Sequence, residues 1–157
     1  MHPHHSALRA TVRELKHYPI FLDLRGRRVL VAGAGKVALR KTRGLLEAGA
    51  RVTVVAPHSE PEFKTLPVQL VARRVRAADL DGAVLAFAAT DNRQANRRIA
   101  LEAKRRGIFA NVADAADECD FVVPARLQRG FVQIAIATSG RSPRISAKLR
   151  QKLEKIL

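Results

Sequence analysis

The stretch VLVAGAGKVALRKTRGLLEAGARVTVVAP, Val29 to Pro57, constrains this chain more than any other. It opens on Val29–Ala32, a run that is apolar on both faces, as a central strand of a parallel sheet must be. A glycine turn follows, then a predicted helix over Lys36–Ala48, with Ala38, Leu45 and Leu46 on one face at i, i+7 and i+8. Gly49 is placed to end that helix. Val52–Val55 is a second apolar strand, stopped by Pro57. Strand, turn, helix and strand make a βαβ unit, which commits the chain to an α/β fold.

The turn reads G-x-G-x-x-A over Gly33, Ala34, Gly35, Lys36, Val37 and Ala38. Gly33 permits a tight turn, Gly35 lets a pyrophosphate approach the backbone, and the small Ala38 lets the helix pack close to the strand. The helix N-terminus then offers its free N–H groups to phosphates. A strand–helix turn that merely uses glycine is the rival explanation. The strand before and the helix after favour a dinucleotide site. One element departs from that pattern. A carboxylate is expected at the end of the second strand to hold the ribose, but the residues there are Val54-Val55-Ala56-Pro57-His58. Backbone groups at Pro57 and His58 are the remaining candidates, and NAD against NADP stays open on this ground.

The alternation continues with strands predicted at Val68–Ala72, Val84–Ala88 and Ile108–Val112. A second helix starts after Ala-Thr-Asp-Asn, where Asp91 and Gln94 have capping-box spacing, and Ala95, Ile99 and Ala103 share a face. Residues 18–113 thus form a Rossmann-like, doubly wound parallel sheet. Residues 1–17 read as a flexible extension, with His2, His4 and His5 in a frayed terminus rather than a metal site. From Asp114 to Leu157 the rhythm changes. FVVPARLQRGFVQIAIAT gives two strands turning near Gln128–Gly130, a small β-hairpin. A helix follows with Ser142 as its cap and Pro143 at its first position. Its stripe of Ile145, Leu149, Leu153 and Ile156 calls for a covering partner or a following segment.

In open α/β sheets ligands bind beyond the carboxyl ends of the strands. Thr90 stands there after the fourth strand, and Asn111 and Asp114 at the carboxyl edge of the fifth. A carboxylate at that edge can accept a proton, although a loop aspartate also serves as a turn former. In ATSGRSP, Thr138, Ser139, Gly140 and Ser142 offer hydroxyl and N–H groups to anions, and Arg141 and Arg144 add charge. A plain capping loop reads equally well. The composition carries 29 Lys and Arg against 14 Asp and Glu, so an acidic partner is expected. Scarce aromatics and the absence of Trp weaken a single-strand-binding role. There is no long apolar run for a membrane span and no apolar core for a signal peptide at the start. A single cysteine, Cys119, suits a reducing cytoplasm, where this chain is expected to reside.

Taken in order, YPIFLDLRGRRVLVAGAGKVALRKTRGLLEAGARVTVVAP, ATDN, NVADAADECDFVVPA and IATSGRSPRISAKLRQKLE resemble the siroheme synthase N-terminal module. That family comprises precorrin-2 dehydrogenases, some of them also sirohydrochlorin ferrochelatases. The resemblance spans Tyr18 to Leu157. It implies oxidation of precorrin-2 to sirohydrochlorin with hydride transfer to NAD, and in some relatives insertion of Fe²⁺ as a second substrate. The family's cofactor loop falls on Gly33, Gly35, Lys36 and Val37, and its second cofactor contact on Pro57 and His58. The missing carboxylate then favours NAD. Asp114 matches the aspartate of the family's N-V-x-D segment, implicated in both reactions. Thr138 stands at the leading hydroxyl of its S-x-G-x-x-P loop. The implied substrate is a polycarboxylate tetrapyrrole, for which Arg126, Arg141 and Arg144 are candidate receivers. The resemblance also implies a homodimer formed through the region after the fifth strand, and a helical domain beyond the point where this sequence stops. Two rivals remain: a non-catalytic NAD- or tetrapyrrole-binding module, and a basic nucleic-acid-binding protein. The last ranks lowest, because the basic residues are dispersed and nothing in the sequence reads bases.

Overall fold

The computed structural model describes residues 17–138 and 142–156, which fall into two compact units. The larger runs from Leu22 to Phe121. The smaller joins residues 17–21 to residues 122–156. His2, His4, His5, Ser139, Gly140 and Arg141 lie outside the described residues.

In the larger unit the strands are β1 (Arg28–Ala32), β2 (Arg51–Val55), β3 (Gln69–Val71), β4 (Leu85–Ala88) and β5 (Phe109–Val112), and the helices are α1 (Lys36–Glu47) and α2 (Arg93–Arg105). The strands form one parallel sheet in the order β3-β2-β1-β4-β5. The apolar runs of β1, β2 and β4 are buried on both faces, as expected, whereas the edge strand β3 leaves Gln69 and Leu70 exposed and β5 leaves Phe109 exposed. Val29, Val31, Val52, Val54 and Phe87 pack with Ala38, Leu39 and Leu45 of α1. Leu30, Val55, Ala86, Ala88 and Ala110 pack with Ile99, Ala100 and Ala103 of α2. The helices therefore cover opposite faces, and the winding reverses between β1 and β4. That is where an open α/β sheet has its crevice.

Helix ends follow local chemistry. Gly49 adopts φ 76°, donates to the Leu46 carbonyl, and leaves Ala50 to donate to that of Leu45, which closes α1 one residue earlier than expected. At α2 the cap is Asn92 and not Asp91: the Asn92 side chain accepts from the Ala95 N–H at 2.9 Å. Both residue types cap well, and the chain direction decided between them. Strands β3, β4 and β5 each begin one residue later than the apolar runs: Val68 and Ile108 donate locally, to the Leu66 and Ala103 carbonyls, and Val84 makes a single bond, to the Arg28 carbonyl, just ahead of the ladder.

The free edge of β5 is sealed by its own following loop. Asp120 donates its N–H to the Ala110 carbonyl and accepts the Ala110 N–H on its carboxylate, both at 2.9 Å. The Cys119 sulfur accepts the Val112 N–H at 3.1 Å and lies 3.3 Å from the carbonyls of Val112 and Ala115. An edge strand whose outward groups are filled this way cannot template further pairing.

The smaller unit is a hairpin of β6 (Ala125–Arg129) and β7 (Val132–Ile136) with helix α3 (Pro143–Glu154). The turn sits at Gly130 and Phe131, slightly later than the sequence suggested. Ser142 caps α3, accepting the Ile145 N–H. Leu127 and Ser146 are buried, whereas Phe131, Ile145, Leu149 and Ile156 are exposed. No helix among the described residues is long and apolar enough to cross a membrane.

Candidate functional site

Two glycines at the β1–α1 turn do different work. Gly33 has φ 104°, and a Cβ there would lie 2.2 Å from the Ala89 carbonyl oxygen and 2.8 Å from the Thr90 nitrogen. Its lack of a side chain is what lets the turn press against the end of β4. Gly35 is different. Its φ of −87° suits any residue, and a Cβ would meet nothing within 4 Å. The fold does not require glycine there, and the open space lies at the head of α1. No side chain caps that helix. A chain needing only a helix start gains from Ser, Thr, Asp or Asn at this position. Glycine leaves the first-turn N–H groups to an anion, which fits a dinucleotide pyrophosphate.

The loop is fixed from behind. Gly33 donates to the Val55 carbonyl and Glu60 donates to that of Ala34, both at 2.9 Å. Ala34 and Ala38 are buried, and Lys36 and Val37 are exposed at the head of the helix. Pro57 and His58 follow β2 and are exposed. Glu60, which the sequence reading passed over, thus ties the segment after β2 to the glycine turn.

Thr90 lies against Gly33, and its hydroxyl is engaged locally. It donates to the Asn96 side-chain oxygen at 2.6 Å, and Asn96 returns its amide to the Thr90 carbonyl at 3.0 Å. Asn96 is 1% exposed, so this pair fixes the β4–α2 turn from inside the protein. Asn111 is likewise occupied. Its oxygen accepts from Lys41 Nζ at 2.8 Å, and its nitrogen donates to the Phe121 carbonyl at 3.0 Å. Asp114 is exposed in the turn after β5, where Ala113 still donates to the Ala88 carbonyl. Arg93 is held charged first by its bonds to Glu118, with Asp114 and Asp117 adding to the field. Among the described residues no group of three His, Cys, Asp or Glu could hold a metal ion.

Lys41 is a second residue that the sequence did not single out, after Glu60. Its ammonium lies 5.2 Å from the centroid of the Phe87 ring, and burial pushes its pKa below the usual lysine range. The signal was available: Lys41 follows Ala38 by three residues and precedes Leu45 by four, so it lies on the apolar face of α1.

In the smaller unit, the Thr138 hydroxyl donates to the Ser142 carbonyl, accepts the Ser142 N–H, and lies 3.3 Å from the Ser146 hydroxyl. Arg126 on β6 and Arg144 in the first turn of α3 are exposed.

A family profile described as putative NAD(P)-binding matches residues 20–125, and so takes in the sheet and the glycine turn. The chain belongs to this putative NAD(P)-binding family. A second profile, sirohaem biosynthesis protein central, matches residues 129–156. The siroheme synthase of Chromobacterium violaceum is 41% identical over 147 residues, covering 91% of this chain and 31% of that protein. Siroheme synthase 1 of Aeromonas hydrophila subsp. hydrophila is 42% identical over 144 residues, covering 88% and 31%. The chain therefore spans about a third of the length of these curated relatives. The solved structure of SirC, precorrin-2 dehydrogenase, superposes with a TM-score of 0.78 at 29% identity, covering 90% of this chain and 71% of that one.

Proposed function

We propose that this chain is an NAD-dependent precorrin-2 dehydrogenase of siroheme biosynthesis. The observation that carries the reading is Gly35: the fold does not demand a glycine there, yet one leaves the head of α1 open and uncapped. The likeness to siroheme synthases and to a precorrin-2 dehydrogenase supplies the substrate class.

Bound NAD supplies a hydride acceptor. The chain's own residues do the rest. Gly33, Ala34, Gly35, Lys36 and Val37 receive the pyrophosphate, and backbone groups at Pro57 and His58 receive a ribose. With no carboxylate at that strand end, NAD is the proposed cofactor. Thr90 and Asn111 hold the ends of β4 and β5 beside it. The oxidation removes a hydride and a proton from precorrin-2, and the Asp114 carboxylate takes the proton. Its exposure after β5 leaves it accessible to a base's role. Arg126, Arg141 and Arg144, with the hydroxyls of Thr138 and Ser139, receive the carboxylates of the tetrapyrrole by charge-assisted hydrogen bonds. Insertion of Fe²⁺ as a second substrate would use Asp114 again, because two pyrrole N–H protons must leave. A homodimer covers the exposed apolar residues of the hairpin and α3.

Calorimetric titration with NAD and with NADP, followed by anaerobic incubation with precorrin-2, tests this. NAD binding with NADH formation is expected. Binding of NAD with no turnover would favour a non-catalytic binding module instead.

A further inference from the structure

We propose that Lys41 is a positioning residue that ties the phosphate-binding helix to the end of β5 and so sets the place of Asp114. The consequence for turnover rests on the dehydrogenase reading; the geometry does not.

Lys41 sits on the side of α1 that packs against the sheet, half-buried beside Phe87. Its ammonium donates to Asn111 Oδ1 at 2.8 Å. Asn111 is 7% exposed, and its amide nitrogen donates to the Phe121 carbonyl. The Phe121 ring meets Phe87 edge-on, with centroids 5.4 Å apart. One side chain therefore links α1, β4, β5 and the loop that returns past the β5 edge.

Packing alone does not ask for a lysine here. A leucine or methionine would fill a site beside Phe87 without desolvating a charge. What the ammonium adds is a directional bond to an otherwise buried acceptor. Without it, Asn111 Oδ1 would be left unpaired in an apolar setting, and the amide would be held only through its nitrogen, at the Phe121 carbonyl.

Asn111 is three residues from Asp114, and the backbone between them is pinned. Val112 is held by the Cys119 sulfur and Ala113 by the Ala88 carbonyl. With only Val112 and Ala113 between them, loosening of Asn111 reaches Asp114 through a short segment whose other anchors are Cys119 and Ala88. At the other end of the link, Lys41 belongs to the helix whose head carries Gly35. The Lys41–Asn111 bond thereby adds a direct tie between the phosphate site and the carboxylate, beside the sheet and the packing of α1 that also hold them.

The test compares the wild type with Lys41→Met, which keeps the apolar stem, and Lys41→Arg, which keeps a charged donor. Three quantities are read: NAD affinity by calorimetry, kcat and KM with precorrin-2, and amide hydrogen exchange over residues 112–115. For Lys41→Met we expect NAD affinity within about twofold of wild type, kcat lowered about tenfold with KM little changed, and exchange at 112–115 faster by about tenfold. Residues 30–32 in β1 should exchange as before. Lys41→Arg should restore most of the kcat. Wild-type kcat and wild-type exchange in Lys41→Met would overturn the proposal, as would a loss confined to NAD affinity. If Lys41→Met does not fold, Lys41→Gln takes its place with the same expectations. If the wild type itself reduces no NAD, the dehydrogenase reading fails and the exchange measurement alone decides the role of Lys41.

Discussion

The two units of this chain bury themselves to different degrees. In the larger, residues 22–121, both faces of a parallel sheet are covered and even the outer edge of β5 is filled by Asp120 and Cys119. In the smaller, Leu127 and Ser146 are buried while Phe131, Ile145, Leu149 and Ile156 face outward. A unit with so little of its own apolar surface removed from water gains little stability by itself. Among the described residues the larger unit buries its own core, and the exposed apolar residues of the smaller one are what the proposed dimer would cover with a second copy.

The largest expected effect breaks the scaffold where it is tightest. Gly33→Ala forces a methyl against the Ala89 carbonyl at a left-handed φ, and should cost about 3 kcal/mol or more in urea denaturation. Gly35→Ala should leave denaturation unchanged to within about 0.5 kcal/mol, apart from any gain from lost chain entropy, while weakening NAD binding about tenfold. If both variants lose stability alike, the distinction between a glycine needed by the fold and one left for a ligand is wrong.

The next effect separates the units. Leu149→Asp places a charge on the exposed stripe of α3 and should weaken self-association by about tenfold or more in sedimentation equilibrium. NAD affinity of the larger unit should be unaffected. A variant that associates as the wild type does would show that this face is not the interface.

A smaller effect concerns pH. The Arg73 guanidinium holds the Asp79 carboxyl below its ordinary range, against the opposing pull of burial, and the Arg76 N–H assists. Because the folded value is depressed, this stabilisation is present above the ordinary carboxylate range and is lost as pH falls through the folded value. Asp79→Asn should remove about 1 kcal/mol at neutral pH, a modest figure because Arg73 is partly exposed, and should flatten the acid side of the stability curve. An unchanged acid limb would assign that dependence to other carboxylates. An effect of similar size is expected at the α2 cap, where Asn92→Ala should cost about 1 kcal/mol, and Asp91→Ala should cost much less.

Much of the larger unit was legible in the sequence, because strand, turn and helix there obey strong local rules. V-L-V-A can only be a buried strand in that context, and Gly49 marks the end of α1. The glycine turn was legible for the same reason. The choice of Asn92 over Asp91 was not, since two neighbouring residues with equal capping ability are separated only by the path of the chain. Lys41 escaped because a lysine on a helix is ordinarily read as surface; only its phase relative to Ala38 and Leu45 gave it away. The filling of the β5 edge by Cys119 and Asp120 depends on how an irregular loop returns, which no periodicity records. The hairpin and α3 were legible as elements, and so was the apolar stripe of α3, of which Ile145, Leu149 and Ile156 are exposed.

The most direct test of the central claim is an anaerobic absorbance record of the protein with NAD and precorrin-2, with Asp114→Asn run beside it. The account predicts that NADH and sirohydrochlorin appear together in equal amounts with the wild type. It predicts that Asp114→Asn binds NAD normally but forms both products at least about a hundredfold more slowly. Equal rates in the two proteins would contradict the role given to Asp114, and the absence of NADH from the wild type would contradict the dehydrogenase itself.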